Sequence, residues 1–286
     1  MGIITLTTDM GLRDHYVAAL KANIFRLSPN ANVVDISHFV RPFNLVEAAY
    51  YVKSVCKDFP EGTVHIIGVN AEPHVNFTNA DENQLPTILL WQNQYFVSTD
   101  NGIFHLLLEE QQAQGIWSLD DVLSKPKLMN FPTKNILIPA ACKLILGEKP
   151  GAFASVKDDF KKAVASRPVS EENVLKGTVM HIDQYGNIIT NIKKELFEKH
   201  RNGSPFIIYF RQKEYYIDKI SMGYNEVPEG EKVAIFNDND WLEIAINKGT
   251  HENGGGAKDL LGLRLRDIVR IEFSHRGSVN NLSQLF

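Results

Sequence analysis

The fold is decided first by Ile3-Ile4-Thr5-Leu6-Thr7-Thr8-Asp9-Met10-Gly11, an apolar, β-branched run that ends in a polar turn. The run over Ile3 to Thr7 predicts a buried strand, because β-branched residues favour extended backbone. An amphipathic helix is predicted from Asp14 through Leu27, and Pro29 to Asn32 ends it. A strand followed by a helix is the unit from which α/β domains are built.

The same alternation continues through the first half of the chain. It predicts an N-terminal α/β domain over residues 1–165 with a largely parallel sheet. Ligands of such sheets bind beyond the carboxyl ends of the strands. Asp9, Asn70 and Asp100 each follow a predicted strand, so we expect them to share one crevice. The other predicted elements are strands at 33–36, 63–69, 87–91 and 94–97 and helices at 44–57 and 139–147.

The second half of the chain has a different pattern. Residues 157–162 are charged and predict surface and linker. From about residue 174, short apolar runs alternate with turn residues, which predicts an antiparallel β-barrel domain over residues 172–286. The predicted strands lie at 177–182, 187–192, 205–210, 214–220, 232–236, 242–246 and 267–273.

Composition narrows the class of ligand. The net charge is −4 and no long basic run occurs, which argues against nucleic acid, since phosphates require clustered Lys and Arg. The nine His are scattered and the two Cys lie in apolar settings, so neither a metal site nor a disulfide framework is predicted. The N-terminus lacks signal-peptide features, and no apolar run reaches membrane-spanning length. These observations predict a cytoplasmic protein that binds a small molecule and neither nucleic acid nor membrane.

One cluster of side chains is suited to a nucleoside. Within Ile182 to Asn191, the carboxylate of Asp183, the ring of Tyr185 and the carboxamide of Asn187 surround Gly186. An ionised Asp accepts hydrogen bonds from a ribose diol, an aromatic ring stacks on a purine, and Asn both donates and accepts. The alternative is that these residues form only a turn after a strand.

Seven short motifs occur in an order that resembles one family. They are Thr8-Asp9-Met10-Gly11 with Asp14 and Tyr16-Val17, Val34-Asp35-Ile36-Ser37-His38, Pro42-Phe43, Pro60-Glu61-Gly62-Thr63-Val64-His65, Thr99-Asp100-Asn101-Gly102, Ile182-Asp183-Gln184-Tyr185-Gly186-Asn187 with Thr190-Asn191, and Trp241-Leu242-Glu243-Ile244-Ala245-Ile246-Asn247. No single motif is specific, but together they span nearly the whole chain. On these motifs the sequence is similar to the S-adenosylmethionine (SAM) hydroxide adenosyltransferase family, which also contains SAM-dependent fluorinase and chlorinase.

The resemblance implies a fold and a reaction. It implies an N-terminal α/β domain, a C-terminal β-barrel and a homotrimer whose sites lie between domains of neighbouring subunits. The implied reaction is substitution at the ribose C5′ of SAM, with water as the default nucleophile and adenosine and methionine as products. SAM is then the substrate, and no separate cofactor is expected.

The resemblance also implies roles for individual residues. Asp9 would hold the ribose diol, and Phe43 would line the ribose and sulfonium side. The other implied contacts are Asp183 and Asn187 for the methionine portion and nearby polar groups, Tyr185 and Trp241 for framing adenine, and Asn237 and Asp238 for its polar edge.

The sequence departs from this family at the groups that activate water. The hydrolases of the family use an Asp-Arg-His set, whereas this chain has Asn70 in place of the Asp, Pro132 in place of the His and no Arg between Asn70 and Asn76. Asn cannot act as a general base, and Pro carries no transferable side-chain proton. Thr133 stands where the fluorinase has a halide-contacting Ser. Asn70 and Thr133 are therefore the candidate catalytic residues.

Three hypotheses follow. In the first, the protein hydrolyses SAM, with Glu72, His74 or Lys134 partly replacing the lost set. In the second, it is a related transferase with another nucleophile. In the third, it is a binding module that keeps the adenosine pocket without catalysis. We adopt the first as the default that the family implies.

Overall fold

The computed structural model describes residues 2–76, 78–79, 82–164, 166–210 and 212–274. The chain divides into two compact units, residues 1–165 and 166–286. Each unit has its own hydrophobic core. Among the described residues, no helix is both long enough and apolar enough to cross a membrane.

The first unit alternates strands and helices along most of its length. Its described strands are β1 (Ile3–Thr8), β2 (Asn32–Ser37), β3 (Val64–Gly68), β4 (Pro86–Trp91), β5 (Gln94–Thr99), β6 (Gly115–Ser118) and β7 (Ser155–Val156). Its described α-helices are α1 (Tyr16–Leu27), α2 (Leu45–Cys56), α3 (Ile103–Leu108) and α4 (Ile138–Ile145). A π-helical turn at Thr133–Leu137 leads directly into α4.

These strands form one mixed sheet in the order β2-β1-β3-β5-β4-β6-β7. Neighbours among β2, β1, β3 and β5 are parallel, whereas β4, β6 and β7 extend the sheet with antiparallel pairs. The change follows from the connection between β4 and β5, which is only Gln92 and Asn93, both with positive φ. A two-residue turn of this kind joins antiparallel strands, because a parallel crossover needs a much longer chain. The structure confirms the predicted α/β domain.

The helices cover both faces of this sheet. Helices α1 and α4 pack with Leu6 and Ile66 in one apolar cluster, and α2 and α3 pack with Ile67 and Leu89 in another. Ile66 and Ile67 belong to different clusters because successive side chains of a strand point to opposite faces. Both faces of β3 are therefore buried, as in other parallel sheets.

The segment at 157–162, predicted to be surface and linker, belongs to the first unit and lies within the bounds predicted for the N-terminal domain. The ring of Phe160 packs against the apolar cluster of α2 and α3, 6.5 Å from the ring of Phe104. The charged residues around Phe160 hide this contact from a pattern based on composition. Helix α3 was also absent from the sequence prediction.

A buried histidine lies within the central strands. His65 in β3 is fully buried, with Nδ1 2.8 Å from Thr5 Oγ1 and Nε2 2.8 Å from Gln94 Oε1. Its ring stacks on Phe96 with the centroids 4.8 Å apart. Burial lowers the pKa of His65 to about 4, although the hydrogen bond with Gln94 acts in the opposite direction. The folded protein therefore keeps this ring neutral.

This histidine predicts a pH dependence of stability. Its folded pKa lies below the ordinary 6.5, so the unfolded chain takes up a proton first as the pH falls, and stability decreases between pH 7 and pH 4. We expect His65 to account for a loss of about 2 kcal/mol in the free energy of unfolding between pH 7 and pH 5. Urea unfolding of the wild type and of His65→Gln at both pH values measures this difference. Equal pH dependence in the two proteins would exclude His65 as its source.

The second unit consists mainly of short strands. The described strands are β8 (Val169–Glu171), β9 (Val174–Ile182), β10 (Ile188–Lys193), β11 (Phe206–Phe210), β12 (Gln212–Ile217), β13 (Lys232–Phe236), β14 (Trp241–Ile246) and β15 (Ile268–Phe273). The described helices are α5 (Lys194–Arg201) and the single turn α6 (Ala257–Leu260).

The strands of this unit form an antiparallel, nearly closed barrel. Their order is β12-β11-β15-β9-β10-β14-β13, and β8 pairs with β9. Buried and half-buried residues alternate strictly along β9, as expected when one face of a strand points into a barrel. Between the two end strands lies an isolated bridge that joins Ser221 to Ile235. The structure confirms the predicted antiparallel barrel.

Candidate functional site

Two site candidates of the first unit lie at one edge of its sheet. Strands β1 and β3 are parallel neighbours, with Thr8 opposite Gly68 at their carboxyl ends. Asp9 directly follows β1, and Asn70 follows β3 after one intervening residue. The carboxyl edge of a parallel sheet is where α/β proteins bind their ligands.

Asp9 and Phe43 are brought together by a direct hydrogen bond. The backbone N–H of Phe43 donates to Asp9 Oδ2 at 2.9 Å. Phe43 has a φ of 63°, which is uncommon for a bulky residue, and its side chain is 68% exposed. Asp9 Oδ1 makes no hydrogen bond with any residue that the structure describes. One carboxylate oxygen and one aromatic ring are thus available to a ligand at the same place.

The end of β1 is fastened to β2 through a buried histidine. His38 Nδ1 lies 2.8 Å from Thr8 Oγ1, and its Nε2 lies 3.2 Å from Asp35 Oδ1. Lys21 Nζ donates to the other oxygen of Asp35 at 2.5 Å. Burial alone would raise the pKa of Asp35, but its contacts with Lys21 and His38 hold it below its usual value. The turn that carries Asp9 is therefore built on an ordered polar chain.

The segment that carries Phe43 is fastened at its other end to helix α2. Asn44 caps this helix by accepting the N–H of Glu47 at 3.1 Å. The buried carboxylate of Glu47 accepts hydrogen bonds from the backbone N–H and from Nε of Arg41, at 2.8 and 2.9 Å. Phe43 lies between these two anchors, so its backbone is held although its ring is exposed.

Thr133, the second catalytic candidate, packs against the end of β3. It is 1% exposed and is the first residue of the π-helical turn. A Cβ atom on Gly68 would lie 2.7 Å from Thr133 Cγ2 and 2.8 Å from its Oγ1. Glycine at this position allows the threonine to lie next to the strand end that precedes Asn70.

We expect Gly68→Ala to destabilise the first unit by about 1–3 kcal/mol, because the added methyl group overpacks a site with no free space. Gly151→Ala is the matched control, since a Cβ on Gly151 meets no atom within 4 Å and its φ is not positive. Thermal unfolding measures both. If the two variants have the same melting temperature, the close contact between Gly68 and Thr133 is not present in solution.

Asp100 was expected to share a crevice with Asp9 and Asn70, but its carboxylate is buried and already bound by other residues of the first unit. Its carboxylate is 1% exposed, forms an ion pair with Lys157 and accepts the backbone N–H of Lys161 at 2.9 Å. A residue directly after a strand can either bind a ligand or hold the fold together, so the position of Asp100 in the sequence does not distinguish the two roles. Its partner residues lie 57 and 61 positions further along the chain. Asp100 is the residue that fastens segment 157–162 to the first unit.

Glu72, His74 and Lys134 are the three groups considered as replacements for the water-activating set. Glu72 and His74 are both exposed, on the loop that follows Asn70. His74 is held there through backbone hydrogen bonds with Gln84. The carbonyl of Lys134 accepts a hydrogen bond from Asn23 Nδ2 at 2.8 Å. Nothing in these contacts favours one of the three as a general base.

In the second unit, the carboxylate of Asp183 holds together the turn at residues 183–187. Asp183 Oδ1 accepts the N–H groups of Tyr185 and Asn187 at 2.9 and 2.8 Å, and Oδ2 accepts Asn187 Nδ2 at 3.0 Å. Gly186 has a φ of 82° and closes the turn. The turn hypothesis was therefore correct for the backbone, while the ring of Tyr185 is 62% exposed and available to a ligand.

The other predicted contacts of this unit lie on the turn between β13 and β14. Asn237 Oδ1 accepts the N–H groups of Asn239 and Trp241, both at 3.1 Å, and Asp238 is exposed. Trp241 is only 8% exposed, and Lys193 Nζ lies 3.8 Å from the centroid of its ring. One face of this indole is thus covered by a cation of the same unit.

Glu243 was not among the predicted site residues. It bonds to Asn237 and lies close enough to Asp183 for the two charges to interact. It is buried in β14, where its carboxylate accepts Tyr224 Oη–H at 2.6 Å and Asn237 Nδ2–H at 3.2 Å. Burial raises the pKa of Glu243, the charge of Asp183 adds to this effect, and the two hydrogen bonds oppose it. An acidic residue among the apolar residues of a predicted strand was the available signal. Strand β10 separates the two turns, because Asp183 precedes its start and Trp241 pairs with Lys193 at its end.

The fold and these residues define a class of two-domain proteins, in which an α/β unit with an Asp and an aromatic ring at the sheet edge is followed by an antiparallel barrel. The chain belongs to the SAM hydroxide adenosyltransferase family. Residues 4–154 match the N-terminal domain of this family, and residues 177–270 match its C-terminal domain. The resemblance drawn from the seven motifs is confirmed.

Individual relatives agree with this membership. The chain is 29% identical over 250 residues to the (R)-S-adenosyl-L-methionine hydrolase of Methanocaldococcus jannaschii, covering 79% of this chain and 88% of that protein. It is 27% identical to the fluorinase of Actinopolyspora mzabensis, covering 68% and 73% of the two chains. A crystal structure of an uncharacterized conserved protein from Thermotoga maritima superposes with a TM-score of 0.79 at 26% identity, covering 94% and 98%.

Proposed function

We propose that this protein catalyses the reaction of SAM with water at the ribose C5′ carbon, giving adenosine and methionine. A water oxygen forms the new bond to C5′, the bond from C5′ to sulfur breaks with its electron pair on sulfur, and the water proton passes to solvent. SAM is the substrate, and the reaction requires no separate cofactor. Membership of the family and the hydrolase name of several relatives support this choice.

The observation that carries the proposal is the geometry at Asp9. One oxygen of its carboxylate is fixed by the N–H of Phe43, and the other has no hydrogen bond within the described part of the chain. A carboxylate held in this way suits a ribose diol, because both hydroxyl groups donate to a charged acceptor. The exposed ring of Phe43 suits the apolar side of the ribose and the sulfonium.

Substitution at C5′ needs little general-base catalysis. A sulfonium is already a good leaving group, so the protein must mainly orient the ribose, exclude bulk water and place the nucleophile in line. Asn70 and Thr133 supply a carboxamide and a hydroxyl at the carboxyl edge of the sheet. Both can hold a water molecule by hydrogen bonds, and neither can accept its proton at neutral pH.

The lack of a proton acceptor at Asn70 and Thr133 favours a second candidate, a transferase that uses an anionic nucleophile. An anion needs no deprotonation, and the side chains of Asn70, Thr133 and Lys134 are neutral or cationic. In this case the products would be methionine and a 5′-substituted deoxyadenosine. The third candidate, a binding module, needs only the Asp9 and Phe43 part of the site.

Product analysis separates the three candidates. The protein is incubated with SAM, with and without chloride, and adenosine, methionine and 5′-chloro-5′-deoxyadenosine are quantified by mass spectrometry. Equal amounts of adenosine and methionine above the buffer rate support hydrolysis, and a chloride-dependent product supports the second candidate. Measurable binding of SAM without any product would leave the binding module. Asp9→Ala protein, purified in the same way, controls for contaminating activity.

The proposal includes the homotrimer that the family resemblance implies. Leu12, Phe39 and Phe43 of the first unit are between 58% and 68% exposed, so they are candidates for burial at a subunit interface. Sedimentation equilibrium measures the mass in solution. A monomer at micromolar concentration would contradict this part of the proposal.

A further inference from the structure

The loop that carries Asn70 leaves β3 with an unusual backbone. Residues 69–71, called the Asn70 loop here, have Asn70 in the left-handed region with a φ of 46°. Among residues with a side chain, Asn is one of those that adopt this conformation most readily, so it suits a sharp turn at this position. Val69 and Ala71 on either side are buried, so the loop turns within the protein rather than in solvent.

Two side chains from the end of β5 hold the three carbonyl groups of this loop. Thr99 Oγ1 donates to the carbonyl of Ala71 at 2.5 Å. Asn101 Nδ2 donates to the carbonyls of Asn70 and Val69 at 2.6 and 3.2 Å. We call Thr99 and Asn101 the loop clamp.

The clamp is itself ordered. Thr99 is fully buried at the end of β5, and Asn101 Oδ1 accepts the N–H of Ile103 at 3.2 Å. That second bond orients the carboxamide of Asn101, so that its nitrogen faces the loop carbonyls. The motif Thr99-Asp100-Asn101-Gly102 thus fastens both neighbouring segments: Thr99 and Asn101 hold the Asn70 loop, and Asp100 holds segment 157–162.

The side chain of Asn70, in contrast, is not used for structure. Its carboxamide makes no hydrogen bond with any residue that the structure describes. A fully fastened backbone with an unengaged polar side chain is the arrangement expected for a group that contacts a ligand. We infer that Thr99 and Asn101 are positioning residues that hold the Asn70 carboxamide in place for the nucleophile, an inference that rests on the proposed function.

The neighbouring Ser98 offers a matched control. It is also fully buried in β5, and its Oγ donates to the carbonyl of Ile67 at 2.8 Å. Ser98→Ala and Thr99→Val each remove one buried hydroxyl that donates to a carbonyl, but only the second removes a contact with the Asn70 loop. Thr99→Ser keeps the hydroxyl and tests whether that group is what matters.

The test measures kcat and KM for SAM together with the dissociation constant for adenosine. We expect Thr99→Val and Asn101→Ala to lower kcat at least tenfold while KM and adenosine affinity stay within about threefold of the wild type, because Asp9 is untouched. Thr99→Ser is expected to restore kcat to within threefold. Ser98→Ala should lower the melting temperature like Thr99→Val without lowering kcat.

Two results would overturn the inference. One is a wild-type kcat in Thr99→Val and Asn101→Ala, and the other is an equal loss of kcat in Ser98→Ala. If the wild type itself has no turnover, the proposed function fails, and amide hydrogen exchange then tests the clamp separately. Faster exchange confined to residues 69–76 in Thr99→Val, and absent in Ser98→Ala, supports it, whereas unchanged exchange refutes it.

Discussion

Replacing Asp9 with Ala is expected to weaken the binding of adenosine by a factor of roughly 30 to 1,000, which corresponds to about 2–4 kcal/mol. The carboxylate accepts charge-assisted hydrogen bonds from the ribose diol in our proposal, and its loss leaves both hydroxyl groups without their acceptor. The same change removes the acceptor for the N–H of Phe43 and so frees the aromatic ring beside it. Isothermal titration calorimetry with adenosine measures the effect directly.

Two further variants make this result interpretable. Asp58→Ala removes an exposed carboxylate just beyond the end of α2 and should leave the affinity unchanged. Asp9→Asn keeps a hydrogen-bond acceptor but loses the charge, and we expect an affinity between those of the wild type and Asp9→Ala. Unchanged affinity in Asp9→Ala would mean that adenosine binds elsewhere on the protein.

Replacing Phe197 with Ala is expected to cost the second unit about 3–5 kcal/mol of stability. Its ring is fully buried in the core of the second unit, and ring centroids of Phe206, Phe236 and Phe273 lie 5.0, 5.3 and 5.7 Å away. Truncation removes the contacts with these three rings and leaves a cavity, because the strands around it cannot move in to fill the space.

Urea unfolding followed by tryptophan fluorescence measures this loss. Trp241 reports on the second unit, and a background with Trp91→Phe and Trp117→Phe leaves it as the sole tryptophan. Met222→Ala, at a side chain that is 96% exposed in the same unit, should change stability by less than about 0.5 kcal/mol. If the two variants unfold at the same urea concentration, Phe197 is not a core residue in solution.

The strands were largely predictable, and the missed helices show why prediction fails locally. Helix α5 has the sequence Lys194 to Arg201, in which Phe197 is the only buried residue, so no apolar stripe marks its helical period. Helix α3 has the opposite difficulty, because five of its six residues are buried and apolar, and a short apolar run fits a strand equally well. Tertiary packing, rather than local pattern, decides both.

The candidate site was predictable as a set of residues but not as an arrangement. Asp9 and Phe43 were named separately, and the hydrogen bond between them depends on a positive φ that sequence signals only for Gly or Asn. Asp100 looked equivalent to Asp9, and only its distant partners Lys157 and Lys161 distinguish them. Pairings across many residues carry no local signal, so the fold had to be known first.

The most direct test of the proposed hydrolysis is the reaction with SAM in water enriched in 18O, followed by mass spectrometry of both products. Substitution at C5′ by water places the heavy oxygen in the 5′-hydroxyl group of adenosine and leaves methionine unlabelled. We predict adenosine labelled to the enrichment of the water, formed together with an equal amount of methionine. Unlabelled adenosine, or SAM that is bound and recovered unchanged, would contradict the proposal that this protein is a SAM hydrolase.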